Sequence, residues 1–221
     1  ASNGITSIKN NVVNGDFDSA AIGTSHAGDL SIDGNIIGFA SNGTTPQANM
    51  VSNHGVLVYS MNPIDHELDV NVSNNKQRGA DTRGLYVSGS STVQSNYLVS
   101  TNTFRENGNE GILSDLNPGA VKSFEVSNNF TENNLKGIET NTHEANVHDN
   151  YSANNSRRGI SMHSGRAWNN TVENNGEEGI SRANGGGALE IYDNNINHNY
   201  DGIYVWPSST PGTYIHNNSV S

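Results

Sequence analysis

The sequence contains no cysteine, so neither a disulfide framework nor a thiolate metal site can hold it together. Proline is also scarce, with five in 221 residues, and charged residues make up only 15%. Chains kept unfolded by solvation are rich in both, which argues against ordinary disorder. Eleven Lys and Arg face 22 Asp and Glu, and a net charge of −11 leaves too little positive surface to track a phosphate backbone. No stretch approaches the roughly 18 consecutive apolar residues of a membrane-spanning helix. Leu, Ile, Val and Phe total 45, near the lower edge for a chain that buries a core. What is abundant is asparagine, 37 residues, beside 24 glycines. Both are poor helix formers and no long 3.6-residue apolar stripe appears, so a helical bundle is excluded.

The asparagines are periodic. One register runs Asn11, Asn35, Asn75, Asn102, Asn129, Asn150, Asn170, Asn194, Asn218, and the residue three before each is apolar, from Ile8 and Ile32 to Ile191 and Ile215. A second asparagine follows five residues later at Asn107, Asn134, Asn155, Asn175 and Asn199. Each unit closes with glycine and an aliphatic, as in Gly84-Leu85, Gly111-Ile112, Gly137-Ile138, Gly159-Ile160, Gly179-Ile180 and Gly202-Ile203. Short β-type segments at this period describe the turns of a parallel β-solenoid. The expected fold is therefore all-β, a right-handed parallel β-helix of about nine coils with Asn ladders, forming one domain over residues 1–221. Right-handedness follows the general rule for parallel crossovers. Asparagine suits the corners because it tolerates left-handed backbone angles and can bond its neighbour in the next coil. A leucine-rich repeat, which also carries Asn ladders, needs several leucines per unit, and the whole chain has nine.

Regularity breaks once. The interval from Asn35 to Asn75 is longer than the others, with the surplus at residues 41–53 and 60–66. Excursions from a rigid scaffold are where solenoids place function. The chain begins at Ala1 without an apolar leader and stops soon after Asn218 without an amphipathic cap. The expectation is that a signal peptide or flanking segments have been removed, or that the last coil pairs with a partner, and that the protein is secreted or periplasmic.

On a strand that re-enters after the glycine, the residue before Gly and those two and four after it face the same way. They form a strip containing Arg83, Lys136 and Arg158 before Gly, Tyr86 and Glu139 two after it, and Asp115 and His163 four after it. Aromatic, charged and imidazole groups along a groove suit a sugar chain, whose rings offer apolar faces and hydroxyls. These seven are the candidate substrate-binding residues, and the ordinary alternative is a solvated sheet face of mixed charge.

The densest chemistry lies in the over-long coil, at Tyr59-Ser60-Met61-Asn62-Pro63-Ile64-Asp65-His66-Glu67. Proton abstraction beside a carboxylate needs a base, an acid and a group neutralising the carboxylate. His66 and Tyr59 supply the first two, and Asn62 or Arg83 the third. Asp65 either orients His66 or joins a Ca²⁺ site built of oxygen ligands. No metal-ligand motif of recognised spacing is present, so no metal ligands are assigned and Ca²⁺ is the one cofactor considered.

Tyr59-x-x-Asn62-Pro63 followed by His66-Glu67, on Asn-rich coils of the Gly-Ile type, resembles the catalytic module of mannuronan C5-epimerases and related alginate lyases. That family carries Tyr-Gly-Phe-Asp-Pro-His at the corresponding strand of a right-handed parallel β-helix. Here Asn62 stands in place of its Asp, and Ile64 and Asp65 precede His66. A further Asp of the family falls on Ser88, and its Arg-His pair on Asn109-Glu110. The resemblance implies a polysaccharide partner, with an anionic uronate polymer expected, and C5-proton abstraction by a lyase or epimerase. Two other classes stay open. One is a glycoside hydrolase using Glu110, Asp115 and Glu139; the other is a non-catalytic carbohydrate-binding, adhesin or tailspike-like module.

Overall fold

The structure is a computed structural model that describes residues 4–221 except 27, 40–41, 46–50, 61–66, 90–93, 118, 120, 184–186 and 207–211, without the side chains of 26, 51 and 52. Each coil supplies one strand to each of three parallel sheets. Among the described residues the first two sheets have nine strands and the third has eight. Every pairing is between equivalent strands of successive coils, in parallel, as in Ile32↔Val72 and Val99↔Val126 on the first sheet. The expected all-β parallel solenoid is the observed architecture.

The shortage of aliphatics is resolved by stacking. Ile32, Val72, Val99, Val126, Val147, Ala167 and Ile191 fill one inward row of the first sheet. Val56, Leu85, Ile112, Ile138, Ile160 and Ile180 fill another from the third sheet, all without exposed surface. Each residue is covered above and below by its counterpart, so one aliphatic per coil buries a continuous stripe.

The asparagine register is the corner between the first and second sheets. Asn75 donates from its backbone N–H and its Nδ2 to Oδ1 of Asn102, each at 2.9 Å, and Asn102 does the same to Asn129 at 3.0 Å. The same pair of bonds repeats from Asn11 through Asn194 to Asn218. The second register forms a parallel ladder, Asn107 to Asn134 to Asn155 to Asn175 to Asn199, which Gln77 joins at 2.8 Å. One detail departs from expectation. The left-handed backbone is not at the ladder asparagine but at the residue before it: Asn10, Asn74, Thr101, Asn128, Asp149, Asn169, Asp193 and Asn217 all have φ between 52° and 59°. The ladder residue itself spends its amide on buried backbone, as Asn129 Nδ2 does on Val99 O at 2.9 Å.

Candidate functional site

The third sheet carries the strip predicted from sequence. In its strand Arg83–Gly89, Leu85 and Val87 point inward while Arg83, Tyr86 and Ser88 look outward. Register then lines up Leu57, Tyr86, Leu113, Glu139, Ser161, Ser181 and Tyr204 on successive coils. A second row starts Tyr59, Ser88, Asp115.

At one end of the strip three chemistries meet. His54, on strand Val51–Ser60, is the register partner of Arg83. Its ring lies 5.3 Å from that of Tyr86, and the Arg83 guanidinium sits 4.6 Å from the Tyr86 centroid. His54 Nδ1 is 3.1 Å from Thr82 Oγ1. Burial, followed by the positive charge of Arg83, holds the imidazole below the ordinary histidine value of 6.5, so it is neutral at pH 7. A neutral imidazole, a phenol and a guanidinium thus converge on one patch, with exposed Tyr59 on the strand that carries His54.

Further along, charge is laddered between coils. Arg83 Nε donates to Glu110 Oε2 at 2.9 Å, Lys136 Nζ lies 3.3 Å from Glu110 Oε1, and Lys136 also reaches Glu139 at 2.5 Å. Arg158 donates to Glu178 at 2.7 Å and Arg157 to Glu177 at 2.8 Å. Three of the candidate substrate-binding cations, Arg83, Lys136 and Arg158, are therefore engaged by the protein's own carboxylates. Glu110 is almost fully buried beneath two of them.

His163 packs its ring 4.7 Å from His143 at the strip's edge. Burial, then His143 and Arg182, lower its pKa. At the far end Tyr204 and Trp206 meet edge to face at 5.1 Å, each about a third exposed. Of the sequence-predicted residues, Arg83 and Tyr86 come together, Tyr59 stands opposite Ser88 further along the strand, and Lys136 and Glu139 form the adjoining ladder. Asp115 is exposed in the outer row, while Arg158 and His163 lie further along. His66, Asp65 and Asn62 lie outside the described residues. Among the described residues no cluster of three His, Cys, Asp or Glu could hold a metal. Sequence reasoning left His54 unplaced, because no asparagine marker falls between Asn35 and Asn75 to set its register. His148 and His216 occupy strands of the first sheet. There they close a stacked row, His148–Trp168–Tyr192–His216, with ring centroids 4.2, 5.9 and 5.2 Å apart.

Neither the curated proteins nor the solved structures include a match to this chain. The family model for the right-handed β-helix region matches residues 54–220, starting at His54 and running almost to the last residue. That span covers most of the 221 residues and the whole of the described strip, so the chain belongs to the right-handed β-helix family.

Proposed function

We propose that the protein engages a polysaccharide along the outer face of the third sheet, outside the cytoplasm, and removes the C5 proton of a uronate residue at its His54 end. The observation that carries this reading is the convergence of a neutral His54 imidazole, the Tyr86 phenol and the Arg83 guanidinium. The carboxylate of the uronate lies against Arg83, whose guanidinium has further N–H groups besides the Nε–H given to Glu110. His54 accepts the C5 proton and the electron pair moves into the carboxylate. In elimination the bond from C4 to the linking oxygen then breaks, and Tyr86 or Tyr59 protonates that oxygen. In epimerisation a proton returns to C5 on the opposite face. Asn62, Asp65 and His66 lie three to seven residues after Tyr59 in sequence and join the same proposal. Were Ca²⁺ to take part, Asp65 would be its protein ligand and the ion would supply positive charge for the polymer's carboxylates.

Polymannuronate, polyguluronate and polygalacturonate incubated in D₂O separate the outcomes. Unsaturated product reports elimination, and deuterium at C5 with inverted configuration reports epimerisation. His54→Ala is expected to lower turnover by about 100-fold or more, and Tyr86→Phe similarly if it is the acid. A wild-type protein that neither exchanges nor cleaves any of the three polymers rejects the chemical step. A His66→Ala loss with intact His54→Ala activity moves the base to His66. The pairing of Arg83, Lys136 and Arg158 with Glu110, Glu139 and Glu178 favours a second reading, binding without turnover. Retention of these polymers on affinity gels without any consumption supports it.

A further inference from the structure

A sizeable cavity lies away from the outer face of the third sheet. It is a groove of about 1100 Å³ along the corner where third-sheet strands turn into the first sheet. The geometry of that corner explains it. Between Ile160–Met162 and Gly165–Trp168 the connector is only His163 and Ser164, the tightest return among the coils that line the groove. Ser164 and Gly165 form the floor, and Ser164 Oγ accepts the Glu144 N–H at 3.0 Å. Gly165 has φ +112°, and a Cβ there would lie 2.0 Å from Ala145 O, so the floor is fixed to glycine. His143, Glu144, Gly187 and Ala188 contribute from the connectors on either side.

The other wall is an outward row of the first sheet, Asn146, Arg166, Glu190 and Tyr214, in register on four successive coils. Two positions further along the same strands stands the stacked row of His148, Trp168, Tyr192 and His216, which backs this wall with rigid rings. Glu190 ties the two rows, 3.4 Å from Arg166 Nε and 3.3 Å from His216 Nε2. Arg166 and Tyr214 remain open, with 61% of the arginine side chain and 68% of the tyrosine exposed. At the opposite end Lys122 is neutralised by Glu67 at 2.8 Å.

We propose that this groove is a second ligand site, separate from the third sheet, and that it takes a neutral oligosaccharide. Arg166 is held by Glu190 and Lys122 by Glu67, and Glu144 adds a further carboxylate, so a polyanion gains little, while planar Asn, Arg and Glu groups offer donors and acceptors for vicinal hydroxyls. Tyr214 supplies an exposed ring for the apolar face of a sugar. The lining lacks the run of apolar anchors that a docked peptide requires. The groove crosses five strands at a spacing of about 4.8 Å, close to the rise per residue of an extended glycan, so each coil meets one sugar.

Isothermal titration with cellohexaose, maltohexaose, xylohexaose and mannohexaose, and with hexamannuronate as the anionic comparator, tests the site. Hexamannuronate held on the third sheet is expected to ignore changes in this groove, whereas at least one neutral hexasaccharide is expected to bind in it. Tyr214→Ala and Arg166→Ala each weaken that binding about tenfold. His54→Ala leaves it unchanged, so failure of the third-sheet chemistry and failure of this site are read separately. Three results overturn the proposal: no neutral hexasaccharide binds, binding is indifferent to Tyr214→Ala and Arg166→Ala, or it is lost in His54→Ala.

Discussion

Asn129 shows what one ladder residue does. Its Oδ1 accepts two N–H bonds from Asn102, and its Nδ2 reaches Val99 O, Ser127 O and Asn150 Oδ1, all in a buried setting. Alanine there strands the Asn102 N–H and the Val99 carbonyl without water to replace the amide. Asn129→Ala should therefore cost about 3 kcal/mol, measured by denaturant unfolding. Asn11→Ala, at an exposed corner, should cost less than about 1 kcal/mol. A loss at Asn129 no larger than at Asn11 would show that the ladder does not carry stability. The residue before the ladder obeys a different rule. Thr101 is β-branched and exposed, yet held at φ 59°, a conformation that asparagine supplies at the equivalent Asn74 and Asn128. Thr101→Asn keeps its N–H bond to Ser127 O and should raise stability by about 1 kcal/mol, read as a higher unfolding midpoint. The ladder register was legible because a cross-coil amide chain tolerates little but asparagine. The left-handed site one residue earlier was not, because Asp, Thr and Gly also fill it and its signal is only the frequent Asn-Asn doublet.

A strand of the third sheet acquires its chemistry from its neighbours. Arg83 and Glu110 are 27 residues apart in sequence and 2.9 Å apart in space. The outward strip could therefore be read from the Gly-aliphatic period, but the pairing of its charges could not, since it depends on which rotamer reaches the next coil. Glu110 is buried while Arg83 and Lys136 are partly exposed, so removing its charge leaves two adjacent cations that water screens only in part. Glu110→Gln should destabilise the fold by about 2 kcal/mol. The same change should tighten retention of an anionic polymer, with a steeper salt dependence, because Arg83 and Lys136 lose their internal partner. Unchanged retention would remove Arg83 and Lys136 from the binding face. Protonation follows the same geography. His54 and His163 are both held below 6.5 by burial, so between their folded values and 6.5 the unfolded chain binds more protons than the folded one. Stability should thus be full above pH 6.5 and fall as the pH drops below it. The double variant His54→Gln, His163→Gln should flatten that acid-side loss in urea titrations. A slope identical to wild type would place the titrating groups elsewhere.

As a whole molecule the solenoid is a one-dimensional stack in which each coil is held by the coils on either side. Chain length, composition and the apolar positions three before each asparagine already specified this arrangement, because stacking needs only one well-placed aliphatic per sheet and coil. The over-long coil resisted the same reading, since nothing in its sequence sets how residues between Asn35 and Asn75 return to register. Stability along such a stack should be graded rather than uniform. Ile138 is fully buried in mid-stack, with Ile112 below and Ile160 above, whereas Ile215 and Val220 in the last described coil are about half exposed. Ile138→Ala removes contacts to both neighbours and leaves a cavity, for an expected loss of about 3 kcal/mol. Val220→Ala should change stability by less than about 0.5 kcal/mol. Hydrogen exchange reports the same gradient without substitution. The backbone amides of Asn75, Asn102, Asn129 and Asn150, each bonded to the next ladder oxygen and buried, should exchange slowest. Those in Ile5–Lys9 and Thr213–His216, whose side chains are largely exposed, should exchange orders of magnitude faster through local fraying. Equal protection from the first strand to the last would mean that the stack opens only as one unit. In that case a nearest-neighbour account of its stability would fail, and the mid-stack and end substitutions would have to be compared through global unfolding alone.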